Sequence, residues 1–250
     1  MRYAILGDVH ANREALDAAI ADAQASGVDA YAQVGDVVGY GPDPAYCIDK
    51  LRDLGCHICL GNHDAAVVRR LPLDVFNPFA KMALEWTMFE LKRSHRDFLS
   101  SLPLEVELPG IDAVIVHGSL FKPESFDYVR SLASAARSLE IQRTQLCFVG
   151  HSHQPCLFVM YEDGRCDLLS IFKREGHYQM GAQSSERLLV NVGSVGQPRD
   201  EDPRAAYVLF DSEEMSLQLV RVSYDIEAVQ ERIRQKGLPH VLAERLKYGL

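Results

Sequence analysis

Carboxylate, amide and imidazole side chains recur in five short clusters: Asp8-Val9-His10, Gly35-Asp36, Gly61-Asn62-His63-Asp64, His117-Gly118-Ser119 and Gly150-His151-Ser152-His153. Together they offer enough oxygen and nitrogen donors to hold two divalent ions. Such a mixture suits Mn, Fe, Zn, Co or Ni better than Mg or Ca, which prefer oxygen shells. A single Asp36 carboxylate could bridge the pair. Any one cluster has a plainer reading, since a histidine near a strand end is commonly structural and Gly-Asp is a common turn. All five, however, follow a short hydrophobic run and precede a glycine, a polar loop or a helix start. In open α/β sheets ligands gather at such carboxyl ends of strands.

The elements that must position these residues can be read in outline. A strand over 2–7 would send the side chains at 8 and 10 off its end on one side, so that Asp8 and His10 can share an ion. The same offset relates His151 and His153 after the run Leu146-Cys147-Phe148-Val149, so both imidazoles can face one pocket. Asn62 and His63 are adjacent and cannot point the same way from an extended backbone, so one should ligate and the other lean toward a substrate. Around them the first third alternates strand and helix. Strands over 2–7, 30–34 and 56–60 flank a helix over 13–26, with Asn12 as N-cap and Gly27 as stop, and a helix from Asp43-Pro44 to about 53, capped by Asp43. This predicts a parallel β-α-β-α-β unit.

Residues 64–101 read as mostly helical from Asn77-Pro78, with Phe79, Met82, Ala83, Trp86, Phe89 and Leu91 as a core-facing stripe. Strand signals return over 113–117, 146–149, 156–161, 166–172, 187–192, 205–211 and 215–222, with a helix over 131–141 between them. Turns such as Glu162-Asp163-Gly164 predict antiparallel pairing among the later strands. Asp225 to Leu250 reads as two short helices split by Gly237-Leu238-Pro239. The fold class expected is α/β (α+β by some schemes), a single domain over 1–250 of two mixed sheets packed face to face with helices outside.

At 250 residues and 47% hydrophobic content the chain can bury a sizeable core. Its net charge of -9 argues against sequence-independent attraction to nucleic acid or an anionic membrane, while bound ions would still make the pocket attractive to an anionic substrate. No stretch resembles a signal peptide or a membrane span, so a cytoplasmic location is expected. The six cysteines do not form a disulfide framework. Cys56 and Cys59 would sit on opposite faces of a strand and could not chelate one ion. His57, His95, His177 and His240 lack partner motifs. A homodimer is compatible with the sequence, and no feature demands it.

With these residues in place, the chain resembles a calcineurin-like metallophosphoesterase. The five clusters match that superfamily's blocks in order over residues 6–153, and Asn191-Val192-Gly193-Ser194-Val195-Gly196-Gln197-Pro198-Arg199 is similar to a further segment of its small bacterial and archaeal branch. The resemblance implies a four-layer α-β-β-α sandwich. It implies that Asp8, His10, Asp36 and His153 hold one ion and Asp36, Asn62, His117 and His151 the other. By the same resemblance, ions about 3.5–4 Å apart would share a bridging hydroxide that attacks phosphorus in line. His63 would then protonate or stabilise the leaving oxygen, with Asp64 orienting it.

Protein phosphatases of the superfamily and their diadenosine tetraphosphatase relatives carry Asp-Arg after the second block and Glu after Gly-Asn-His; here Gly39-Tyr40-Gly41 and Asp64 occupy those places. The chain instead resembles the phosphodiesterase-type branch, which implies a small phosphodiester or nucleotide substrate rather than a phosphoprotein; the mixed ligands themselves favour Mn or Fe. Arg199 and Arg204 either contact substrate phosphate, which guanidinium matches bidentately, or are solvated loop charges. Tyr40 either stacks on a base or packs beneath its loop. The alternatives are a phosphomonoesterase or protein phosphatase on the same fold, or a non-catalytic scaffold or slow regulator, as in a retromer subunit that resembles this family but has an incomplete site. The full ligand set and His63 separate the enzyme from the scaffold.

Overall fold

Two mixed β-sheets lie face to face in this computed structural model, which describes residues 1–169, 176–181 and 185–250. The chain opens with Arg2–Leu6 (β1), Arg13–Ala25 (α1), Ala30–Gln33 (β2), Pro44–Asp53 (α2) and His57–Ile58 (β3), and the three strands pair in parallel. Asn12 caps α1 by accepting from the Ala15 amide at 3.1 Å, and Gly27 leaves it at φ +68°. Asn62–Val67 (α3), Pro78–Glu90 (α4) and Arg93–Ser101 (α5) follow. Then come Glu105–Glu107 (β4), Ala113–Val116 (β5), Leu132–Ile141 (α6), Leu146–Val149 (β6), Cys156–Met160 (β7), Cys166–Leu169 (β8), His177–Gln179 (β9), Arg187–Asn191 (β10), Ala205–Asp211 (β11) and Ser216–Val222 (β12). Ile226–Gln235 (α7) and His240–Glu244 (α8) complete the chain.

Among the described residues the first sheet runs β3-β2-β1-β11-β12-β9 and the second β4-β5-β6-β10-β7-β8. Strand alternation sorts the side chains into layers. Tyr3 and Ile5 point into the core between the sheets, while Ala4 and Leu6 meet Leu16, Ala19 and Ile20 of α1 on the outside. Val114 and Val149 pack outward against Ala135 and Leu139 of α6. The result is the expected four-layer α-β-β-α sandwich. Between the sheets Phe148 and Phe210, both buried, approach to a ring-centroid distance of 6.2 Å.

Several expectations change. Asp43 sits at the start of α2, but its carboxylate pairs with Arg232 at 2.9 Å instead of capping the helix. The 64–101 region is three α-helices with a short 3-10 helix, Leu73–Val75, between the first two, and the first begins at Asn62. On α4 the buried face is Ala80, Ala83, Leu84 and Thr87, leaving Phe79, Met82 and Phe89 exposed at 48%, 52% and 89%. Small residues win that face because Ala80 and Ala83 lie against Val229, Ile233 and Leu242 of the C-terminal helices. The short, charge-flanked β4 and the three-residue β9 have no counterpart in the sequence reading, and residues 170–172 of the expected strand 166–172 lie outside the described residues. Cys56 faces the helical layer and Cys59 the inter-sheet core, as alternation requires, and both are free thiols.

Removing the Phe148 ring would open a cavity between the sheets that neither layer can close. Phe148→Ala should therefore lower the unfolding free energy by about 3–5 kcal/mol, seen as a shift of the urea midpoint; a change below about 1 kcal/mol would contradict this account of the core.

Candidate metal centre

The five clusters meet at the carboxyl ends of β1, β2, β3, β5 and β6, so both sheets contribute to one site. Alternation beyond a strand end is not what brings them together. Asp8, His10, Asp36, His151 and His153 all have left-handed backbones, with φ of +42°, +48°, +58°, +63° and +59°. Such conformations cost non-glycine residues energy and persist only where the surroundings enforce them. Here the surroundings are other loops: the His10 amide donates to the Asp36 carbonyl at 3.0 Å, Gly196 N to the Asp8 carbonyl at 3.0 Å and Val195 N to the Gly7 carbonyl at 2.7 Å. Two glycines make room for carboxylates. A Cβ on Gly150 would lie 2.3 Å from Asp8 Oδ2, and one on Gly61 would collide with Asp36.

Asn62 and His63 open a helix rather than sit on extended backbone, yet they still diverge. Asn62 Oδ1 lies 2.9 Å from His117 Nε2, while His63 turns toward His10 and Tyr40 at ring distances of 4.8 and 4.5 Å. The His63 amide donates to Asp36 Oδ1 at 2.8 Å, which leaves Asp36 Oδ2 between His10 Nε2 at 3.6 Å and His117 Nε2 at 3.4 Å. His10 Nε2 and His153 Nε2 are 3.1 Å apart, His153 Nε2 and Asp8 Oδ1 3.4 Å, and His117 Nε2 and His151 Nδ1 3.0 Å. Donor atoms sharing one ion at bonds of about 2.1 Å lie roughly 3.0–3.4 Å from one another, so these separations fit two adjoining shells.

Outer contacts aim the rings. The Nδ1 atoms of His10, His117 and His153 face the carbonyls of Val38 (3.1 Å), Val34 (2.8 Å) and Gln197 (2.6 Å), which turns each Nε2 lone pair inward. Burial pushes the Asp8 carboxyl up to about 8 and holds His10, His151 and His153 well below the usual imidazole range. Burial also opposes charge on Asp36 and His117, but their mutual attraction overrides it, keeping Asp36 well below the carboxylate range and raising His117 to about 9. A buried cluster this rich in carboxylates and inward lone pairs fits divalent cations, which would replace those protons.

The remaining candidates divide. A pocket of about 300 Å³ is lined by Asp36, Asn62, His63, His151, His153, Tyr40 and Arg199 together with Leu71, Phe76 and Phe126. His63 Nδ1 is buried without a hydrogen-bond partner, and burial lowers its ring to about 4. The Arg199 guanidinium reaches Gln197 Oε1 at 3.0 Å and the Tyr40 hydroxyl at 3.4 Å. Tyr40 is buried against His10 and His63, which favours the packing role. Arg204 instead grips Asp202 at 2.7 Å and does not line the pocket. Nor do the Asp64 oxygens orient His63. They accept backbone amides of Asp36 (2.8 Å), Val37 (3.3 Å), Val38 (3.1 Å) and Gly61 (3.1 Å), tying the second cluster to the third.

Sequence reasoning also missed Tyr128, whose ring stacks on His151 at 3.9 Å and 9°, with Arg130 over its other face at 3.9 Å. The loop bearing Arg199 is fixed from both sides. Its amide donates to the His153 carbonyl at 3.2 Å, the fully buried Arg221 side chain is bonded to Asp200, and Glu201 N donates to the Gly249 carbonyl at 3.0 Å.

The calcineurin-like phosphoesterase superfamily domain matches residues 1–215. The chain is 37% identical over 248 residues to an uncharacterised protein of Methanocaldococcus jannaschii, covering 98% of this chain and 97% of that one. A metallophosphoesterase structure from Sphaerobacter thermophilus superposes with a TM-score of 0.84 at 37% identity, covering both chains fully. A hypothetical protein from Pyrococcus horikoshii OT3 shares the fold, with a TM-score of 0.79 at 22% identity over 100% of this chain and 98% of that one. The chain belongs to the calcineurin-like phosphoesterase superfamily. No helix among the described residues is long and apolar enough to cross a membrane.

Because Gly150 touches Asp8, Gly150→Ala should displace that carboxylate and lower the metal content counted after loading, relative to the native protein, in a protein that still folds. Full metal content in that variant would show that Asp8 is not a ligand.

Proposed function

We propose that this protein hydrolyses a phosphodiester or nucleotide-type ester at a pair of divalent ions. The observation that carries the reading is the convergence of two donor sets on one oxygen, Asp36 Oδ2, beside a pocket that also receives His63 and Arg199. Asp8, His10, Asp36 and His153 would hold one ion, and Asp36, Asn62, His117 and His151 the other. When bound, the ions supply a positive clamp for phosphoryl oxygens and acidify water near neutral pH. Mn and Fe suit the mixed donors best.

The chain's own groups supply orientation and proton handling. Arg199, held by Gln197 and Tyr40, presents its guanidinium to a phosphoryl oxygen. His63 lies close enough to His10 and Asp36 to share an ion with them, but its Nδ1 is unpartnered where Gly39 leaves space for it, and we assign it to protonating or hydrogen-bonding the departing oxygen. Asp64 acts through the backbone, keeping the Asp36 loop and the start of α3 in register. Leu71, Phe76 and Phe126 give the pocket apolar walls suited to ester arms, which supports a diester over a phosphoprotein side chain.

Metal-stripped protein resupplied separately with Mn, Fe, Ni, Co, Zn or Mg should cleave bis(4-nitrophenyl) phosphate faster than 4-nitrophenyl phosphate, at about two bound ions per chain. Two ions without turnover would move the reading to a scaffold or regulator. His63→Ala should keep its metal and lose turnover by about 10²–10⁴-fold; activity that survives, or metal that leaves, removes His63 from its role. For Arg199→Ala, a raised KM with intact metal loading is expected, and unchanged kinetics would exclude phosphate contact.

A further inference from the structure

A second cavity of about 350 Å³ lies directly behind the metal loops, within the size range of small-molecule sites. Four pairs of consecutive residues divide between the two cavities: Tyr128 and Val129, His151 and Ser152, His153 and Gln154, Arg199 and Asp200, the first of each pair lining the metal pocket and the second the cavity behind. The partition is therefore a single residue thick, about one 3.8 Å Cα step along the chain. It is also braced, since Gln154 Nε2 donates to the Arg199 carbonyl at 2.7 Å. Tyr128, Arg130 and Gln154 are exposed along this boundary, so the rim between the two spaces is open to solvent.

The lining of the cavity differs from that of the metal pocket. Pro155, Phe158 and Leu168 give it an apolar floor, and Leu168 is 44% exposed. Arg130 and Gln154 supply polar edges, and the Asp200 carboxylate is bonded to Arg221. An apolar floor with a few hydrogen-bonding groups takes a ring-bearing organic group rather than a second phosphate.

Resting on the phosphodiester reading above, we propose that this cavity is a subsite for the nucleoside arm of the substrate, reached across the Tyr128–Arg130 and Gln154 rim while phosphorus stays at the metal centre. The ring lies on Phe158 and Leu168, and Arg130 and Gln154 hydrogen-bond its edge. Tyr128, clamped between Arg130 and His151, couples the subsite to a metal ligand. A bare phosphomonoester leaves the subsite unused, so the cavity selects nucleotidyl esters.

The test is calorimetric titration of the Mn-loaded protein with thymidine 5′-monophosphate and, as reference, inorganic phosphate. The nucleotide should bind tighter than phosphate by about tenfold or more, and Leu168→Trp, which fills the cavity, and Arg130→Ala should each erase most of that preference. Both positions are exposed, so the variants should fold. Equal affinity for the two ligands in the native protein overturns the subsite. So does a preference that persists in Leu168→Trp, or variants that weaken both ligands equally. Hydrolysis of bis(4-nitrophenyl) phosphate by the same samples tests the enzyme reading separately, because that diester carries no nucleoside. Absent turnover with an intact nucleotide preference would sink that reading and keep the subsite.

Discussion

The site depends on how one carboxylate divides its two oxygens. Asp36 is almost completely buried, its Oδ1 is claimed by the His63 amide, and only Oδ2 faces the imidazoles of His10 and His117. Without the first contact the carboxylate could rotate and present both oxygens to one side. With it, a single oxygen is left where the two donor sets adjoin. The same contact couples the donor cluster to the start of α3, because the amide that fixes Asp36 belongs to His63, which lines the adjoining pocket. Asp64 completes the arrangement by drawing the amides of residues 36–38 and 61 onto one side chain.

Such a cluster is costly to bury, and the fold meets that cost with precision elsewhere. Five candidate ligand residues hold left-handed backbones, each of order 1–3 kcal/mol above an ordinary conformation. They are restrained by loops from both sheets, including the 191–199 segment. There Asn191 reaches the Gly150 carbonyl at 2.6 Å, Ser194 the Asp8 carbonyl at 2.9 Å, and the Gln197 carbonyl meets His153. Neither sheet could assemble the site alone. The apolar layer between them, with Tyr3, Ile5, Phe148 and Phe210, sets the distance at which the two halves meet.

Much of the donor set was legible because metal chemistry is written in residue type: Asp, Asn and His at the ends of apolar runs have few other common purposes in such number. The alternating first third and the layered sheets were legible for a similar reason, since period and turn chemistry are local. What escaped was set by contacts distant in sequence. Asp64 looked like a partner for its neighbour, yet its partners include amides of residues 36–38. Asp43 looked like a cap and found Arg232. On α4 the larger apolar residues suggested the buried face, but the close approach of α7 and α8 selected alanines. Arg199 and Arg204 are chemically alike and five positions apart, and only the course of their loop separates the one in the pocket from the one bound to Asp202. Left-handed backbone at these non-glycine residues has no sequence signature, so alternation placed His10 beside Asp8 by the wrong geometry, while His151 and His153 line one pocket but belong to different donor groups.

The contact between Glu201 and Gly249 gives the end of the chain a bearing on the pocket beside the donor cluster, through the loop that carries Arg199. Arg199 is held in a loop that rests on β12 through Arg221 and on the last turn of the chain through that carbonyl. The family match ends at residue 215, so both supports come from sequence beyond it. Changes in a segment that looks like packing could thus alter how firmly Arg199 is held without touching any donor atom. The end of the chain is in this sense a mount for the Arg199 loop.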